Sequence, residues 1–168
     1  SSDLCAGAYY ACSFVDFDRG QPLEVLEPRE LNFFRGIALG PAYGLGTFQY
    51  TTHQGARAAT LSWAKGLFST YYNGGPTFIG DFSNVSILAS YVDLPGKPPA
   101  VIACKIGRGR AILSGVHLEA IPTLLDGQDP YLRPLLPKLL ASSVKCNRFL
   151  REILLAEEAK RFSHPIKI

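Results

Sequence analysis

Apolar and polar positions follow two rhythms along this chain: a broken, turn-punctuated one up to about residue 117 and a helical one beyond residue 131. Residues 6–13 predict a short helix launched from a turn at Leu4-Cys5, with Gly7 placed where backbone packs closely. Short segments follow at 14–17, 23–25 and 30–34, the last running into a Gly/Pro-rich stretch over 36–46, and this middle region reads as irregular β and loop. Tyr71-Tyr72-Asn73-Gly74-Gly75-Pro76 is a turn flanked by aromatics. Residues 86–91 predict a strand closed by a loop over 95–99. The mostly apolar run 100–106 predicts a strand buried on both faces. Gly107-Arg108-Gly109-Arg110 turns the chain and 111–115 returns it, a hairpin that delivers His117 to the end of its second strand. Further on, Leu135, Leu136, Leu139 and Leu140 recur at helical spacing, as do Phe149, Leu150, Ile153 and Leu154. Pro134 and Pro137 mark the helix start, and the tail 163–168 leaves the helix as a linker or strand.

Composition narrows the class. A chain of 168 residues fits one domain with a real core. With 47% hydrophobic and 18% charged residues it has globular rather than disordered composition. The net charge of +3 is spread over 17 basic and 14 acidic side chains, and no Lys/Arg run has the density of a nucleic-acid footprint. Apolar stretches are interrupted well short of a membrane span, and no secretory signal opens the chain. These features argue against nucleic-acid and membrane partners. The cysteines Cys5, Cys12, Cys104 and Cys146 form no CxxC pair, which argues against a zinc knuckle and suits reduced thiols in the cytosol or an organelle matrix, with a cytoplasmic setting as the expectation. The chain contains no methionine, so the expectation is a piece processed or excised from something longer.

The candidate chemistry is a thiol. A sharp turn into a helix points a sulfur at unpaired amides and the helix dipole, which stabilise a thiolate. Cys5, followed by Ala6-Gly7-Ala8, has the small residues such a turn tolerates. Far along the chain, Gly115-Val116-His117-Leu118-Glu119 sets an imidazole and a carboxylate two positions apart, on one side of an extended backbone. Glu119 can then orient His117, and His117 can take the proton from Cys5. Tyr72, Asn73 and Gly74 are candidates for the wall of the Cys5 pocket together with Ala6 and Gly7, although the block also reads as a plain turn between strands. His53 and His164 read as surface residues, and Cys12, Cys104, Cys146 and Trp63 as ordinary packing groups.

These segments carry a resemblance. Leu4-Cys5-Ala6-Gly7-Ala8-Tyr9-Tyr10 resembles the nucleophile elbow of class I glutamine amidotransferases. Gly115-Val116-His117-Leu118-Glu119 resembles their His-Pro-Glu segment, with Leu118 where proline is usual. The wording is closer to one branch, the amidotransferase-like N-terminal domain of eukaryotic biotin–protein ligases of the holocarboxylase synthetase type. Val15-Asp16-Phe17, Leu23-Glu24-Val25, Arg29 to Phe34, Gly55-Ala56-Arg57-Ala58, Tyr71 to Gly75, 107–117 and Arg148-Phe149-Leu150-Arg151 resemble that branch in its own order.

The resemblance implies an α/β domain, a partial flavodoxin-like fold lacking its first β-α units, over residues 1–160, with a C-terminal helical segment and the start of a linker at 161–168. It implies a parent enzyme that uses ATP, biotin and Mg to attach biotin to carrier-domain lysines of biotin-dependent carboxylases. The ligase centre lies in a downstream domain of the parent chain, so no cofactor is expected in this piece, whose role is accessory or regulatory. Two other readings stand beside it: a Cys5-His117-Glu119 amidohydrolase or amidotransferase in its complete form, and a catalytically silent interaction module. With few residues ahead of Cys5, the expectation for the isolated piece is an incomplete oxyanion hole and no glutaminase turnover. Gly107-Arg108-Gly109-Arg110 also resembles the start of the biotinyl-adenylate loop of biotin ligases, but the further Arg and the Trp of that loop are missing. It reads as a hairpin turn with two solvated arginines.

Overall fold

The computed structural model describes residues 3–155, with side chains from Ala6 onward. In chain order the elements are α1 (Asp3–Ala11), β1 (Cys12–Phe17), β2 (Val25–Pro28), β3 (Phe34–Gly40), β4 (Arg57–Trp63), β5 (Gly66–Tyr72), β6 (Thr77–Gly80), β7 (Val85–Tyr91), β8 (Pro99–Ile106), β9 (Gly109–Ser114) and α2 (Leu136–Leu155). The strands form a four-stranded sheet in the order β2-β1-β3-β6 and a five-stranded sheet in the order β5-β4-β7-β8-β9. The fold is therefore α/β, with one mixed and one antiparallel sheet and a C-terminal helix. Among the described pairs β1–β3 is parallel and the others are antiparallel.

Two apolar clusters hold the layers together. One joins β4, β5, β7 and β8 to α2 through Leu61, Phe68, Tyr72, Tyr91, Val101, Phe149 and Ile153. The other joins α1 to both sheets through Ala8, Cys12, Phe34, Phe78, Ile102, Cys104 and Leu113. Strand β8 belongs to both: Val101 serves the first cluster and Ile102 and Cys104 the second, the two-faced burial its apolar run predicts. The buried stripe on α2 is narrower than the leucine spacing suggests. Leu139, Cys146, Phe149 and Ile153 are buried, whereas Leu140 and Leu154 face out. Polar ties fasten the helix as well, since the Ser69 amide donates to Ser142 Oγ and Lys138 donates to the Ala58 carbonyl.

Several boundaries depart from expectation. Helix α1 spans Asp3–Ala11, and Cys12 and Ser13 already belong to β1. Their side chains explain the switch: Cys12 Sγ donates back to the Ala8 carbonyl, while Ser13 Oγ reaches Asn32 and the Phe34 carbonyl on the neighbouring strand. Gly7 is not at a close approach, because a Cβ built there meets nothing within 4 Å. Of residues 23–25 only Val25 is in a strand, and Gly36 and Gly40 sit inside β3 rather than in a loop. Beyond the stretch read as irregular, the chain forms the regular β4–β5 hairpin, paired residue by residue from Arg57–Tyr72 to Trp63–Gly66.

The helix read from residue 131 is one continuous element starting at Leu136, and Trp63 is half-buried with its ring edge-on to Phe149 at 5.2 Å. The 107–110 turn is there, but Arg110 is not solvated: it is half-buried, and its Nη2 donates to the Ile153 carbonyl of α2. His164 and the 161–168 linker lie outside the described residues.

Cys12, Cys104 and Cys146 are buried. Burial first, and then the neighbouring Cys104, pushes the Cys12 thiol up to about 12, and burial pushes Cys104 up to about 11. A folded value above the unfolded 9.0 means that the native chain holds these protons longer than the unfolded one. The stability they contribute is intact below pH 9 and is lost as pH climbs toward 12. The fall in urea midpoint between pH 9 and 11.5 should accordingly be shallower in Cys12→Ala than in the unmodified protein. Parallel curves would contradict this.

Candidate thiol site

The site is built on the segment after β9. Val116 and Leu118 point into the core, at 0% and 5% exposure. In extended backbone that sends His117 and Glu119 to the opposite side. The His117 amide donates to the Tyr71 carbonyl at 2.8 Å, and its own carbonyl accepts from Thr70 Oγ1 at 2.8 Å, so the residue is stitched to β5 by its backbone. Its ring is 6% exposed, lies beside Tyr71, and has Nδ1 2.9 Å from Glu119 Oε1. The carboxylate accepts from Nδ1–H, which fixes the ring orientation and leaves Nε2 as the basic nitrogen. His117 lies three residues past the end of β9, held by an isolated bridge to Tyr71.

His117 opens onto a cavity of about 520 Å³ shared with Ala6, Tyr9 and Tyr10 of α1 and with Asn73 and Gly74. The backbone of Cys5 is in α1, one residue before Ala6, and its side chain lies outside the described residues. Tyr9 ties the helix to the opposite wall by donating to the Gly74 carbonyl at 2.9 Å. Gly74 itself has φ +73, and a Cβ there would stand 2.3 Å from the Phe48 ring, so glycine is what lets Phe48 close this side.

Of the sequence-predicted wall residues, Ala6, Asn73 and Gly74 line the cavity. Gly7 and Tyr72 do not; Tyr72 is fully buried in the core, its hydroxyl donating to the Gly75 carbonyl. The Tyr71–Pro76 block is at once the link from one sheet to the other and part of this wall.

Other walls were not apparent from sequence. Residues 48–53 form one side, with His53 half-exposed and its Nδ1 3.0 Å from Asp129 Oδ2. The bond from His53 holds the Asp129 carboxyl below its usual range, helped by the amides of Tyr131 and Leu132. Arg29 forms another side, its guanidinium 4.6 Å from the Tyr10 ring centroid. The adjacent tyrosines after Cys5 were the available signal for an aromatic wall, but nothing local ties them to residue 29 or 48. Among the described residues no three His, Cys, Asp or Glu side chains group as a metal site.

A profile of the family described as biotin-protein ligase, N terminal, matches residues 3–162. The chain belongs to the biotin-protein ligase N-terminal family. Within that family it resembles a biotin–protein ligase of Schizosaccharomyces pombe, 36% identical over 126 residues that make up 69% of this chain and 20% of that protein. It also resembles an uncharacterized protein of Chlamydia muridarum, 39% identical over 130 residues, 75% of this chain and 50% of that protein. The chain thus spans half or less of the length of these relatives. No solved structure matches it. In this biotin-protein ligase N-terminal chain, Arg110 of the 107–110 turn donates to the Ile153 carbonyl of α2. No described helix is long and apolar enough to cross a membrane.

Proposed function

We propose that this chain is an accessory, amidotransferase-like domain of a biotin–protein ligase and that it carries a thiol site of Cys5, His117 and Glu119. The observation that carries the reading is that His117, oriented by Glu119, opens onto the same cavity as Ala6, the neighbour of Cys5 on α1. The first turn of a helix also offers amides without intrahelical partners, suited to a thiolate or to a developing oxyanion.

On this reading His117 Nε2 accepts the Cys5 proton, Glu119 steadies the resulting imidazolium, and the sulfur attacks an amide carbonyl held in the cavity. The C–N bond then breaks, the amine leaves with the proton returned by His117, and water hydrolyses the thioester to the acid and the free thiol. The parallel β1–β3 pair beside α1 is compatible with a reduced flavodoxin-like core. Biotin, ATP and Mg belong to a separate ligase domain of the parent chain. That domain and, through it, the biotin-dependent carboxylases are the proposed partners, in the cytoplasm.

The test uses the full-length parent and iodoacetamide, a small neutral alkylator, at pH 7. Cys5 should be alkylated about tenfold or more faster than glutathione, while the buried Cys12, Cys104 and Cys146 stay silent. A Cys5 rate equal to that of glutathione would leave a catalytically silent interaction module as the better reading. For the accessory role, a parent lacking residues 3–155 should biotinylate a carrier domain at an altered rate; an unchanged rate removes that role.

A further inference from the structure

The described wall of the cavity holds basic side chains and no carboxylate. Among its described lining residues Arg29 carries a standing positive charge, His53 and His117 are imidazoles, and none is a carboxylate. Their acidic partners, Glu27, Asp129 and Glu119, bond to them without lining the cavity. Glu27 occupies only Nη2 of Arg29 and is itself half in water, so the guanidinium keeps donors and charge to offer. The rings of Tyr9, Tyr10, Phe17, Phe48 and Tyr50 make up much of the rest of the wall, beside the polar side chains of Gln49, Thr51, Thr52 and Asn73. An ammonium entering here meets the Arg29 guanidinium and no carboxylate, with only neutral acceptors such as Asn73 Oδ1 and the Thr51 and Thr52 hydroxyls to replace its hydration.

Geometry adds a length. Cys5 and Tyr10 are both on α1, five positions apart, a rise of roughly 7.5 Å at 1.5 Å per residue. Arg29 stands over Tyr10 at the far end of that interval. Arg29 therefore lies beside the Tyr10 end of α1, roughly one and a half turns along the helix axis from Cys5.

We infer that the cavity selects a ligand with an apolar, ring-bearing body and a single carboxylate for Arg29, and that it disfavours free ammonium groups. As a substrate this is an acylated amide acid, not a free amino acid such as glutamine. The inference rests on the proposed thiol site only for which end of the ligand faces Cys5; the selectivity stands on the wall itself.

The experiment is calorimetric titration of the full-length protein carrying Cys5→Ala, so that binding is read without chemistry. The probes are N-benzoyl-L-glutamine, its methyl ester and L-glutamine. The benzoyl acid should bind about tenfold or more tighter than both the ester and L-glutamine. Tyr50→Ala, at a ring 75% exposed and safe for folding, should weaken the benzoyl acid about threefold. Arg29→Gln should bring acid and ester to equal affinity; if that variant does not fold, the acid-to-ester ratio in protein with Arg29 intact decides the matter alone. L-glutamine binding as tightly as the benzoyl acid, an ester as tight as the acid, or no binding of any probe overturns the inference. None of these outcomes touches the iodoacetamide result, so the thiol site and the ligand class fail separately.

Discussion

Gly115→Ala is expected to cost about 3–5 kcal/mol of folding stability, a large share of the roughly 5–15 kcal/mol that holds a domain together. A Cβ at this position would lie 1.9 Å from the Pro76 carbonyl oxygen and 2.6 Å from the Tyr91 hydroxyl. The first neighbour is backbone in the link between β5 and β6 and has nowhere to retreat. The second is a fully buried phenol whose hydroxyl is 3.0 Å from both the Pro76 and Gly115 carbonyls, so pushing it aside breaks a buried polar contact as well as the packing. Overpacking and a stranded polar group add here because both act on the same few atoms. The check is a urea titration, in which the midpoint should fall at unchanged slope. Tyr91→Phe in the same chain removes one of the two clashes and should recover part of the loss, a coupling above about 0.5 kcal/mol. A midpoint within error of the parent would show that the segment before His117 is far softer than its packing implies.

That segment was among the most legible parts of the sequence, for a physical reason. The β8–β9 hairpin, the turn at 107–110 and the alternation from Val116 to Glu119 are local features, set by turn residues and a two-residue period, and the structure has them. Helix α2 was legible through its apolar spacing, though not the exposure of Leu140 and Leu154, because which leucines touch the sheet depends on where the helix lies across β5. The β4–β5 hairpin was missed because Ala58, Ala59, Ser69 and Thr70 blur its apolar alternation. The division into two sheets and the parallel β1–β3 pair depend on contacts between distant segments, which no local pattern encodes.

The site divides the same way. His117 and Glu119 could be paired from sequence, being two residues apart. Arg29, Phe48 and His53 reach the same cavity only because β1, β2 and the loop before β4 converge there. Arg110 shows the converse, a residue whose local motif suggested solvent while its partner, the Ile153 carbonyl, is more than forty positions away.

His117→Ala in the full-length protein should slow iodoacetamide alkylation of Cys5 at pH 7 by about a hundredfold, within the 10²–10⁴ that a positioned base contributes. The expectation follows from how firmly the imidazole is held. Backbone bonds to Tyr71 and Thr70 fix the main chain on both sides, and the ring is 6% exposed.

Glu119→Gln should cost much less, about tenfold. The glutamine Oε1 can still accept from Nδ1–H, and the glutamate side chain it replaces is 36% exposed, so solvent already shares the work of stabilising an imidazolium. The ratio of the two effects is the informative quantity. A base oriented by a carboxylate gives a large loss for His117 and a small one for Glu119, whereas a histidine kept only for packing alters the melting temperature of both variants and leaves the alkylation rate alone. Equal rates in His117→Ala and the parent, with Cys5 still the alkylated residue, would separate the thiol from the imidazole and remove the base from the proposed site. A loss confined to Glu119→Gln would instead place the proton acceptor on the carboxylate, a geometry that the 2.9 Å bond to Nδ1 speaks against.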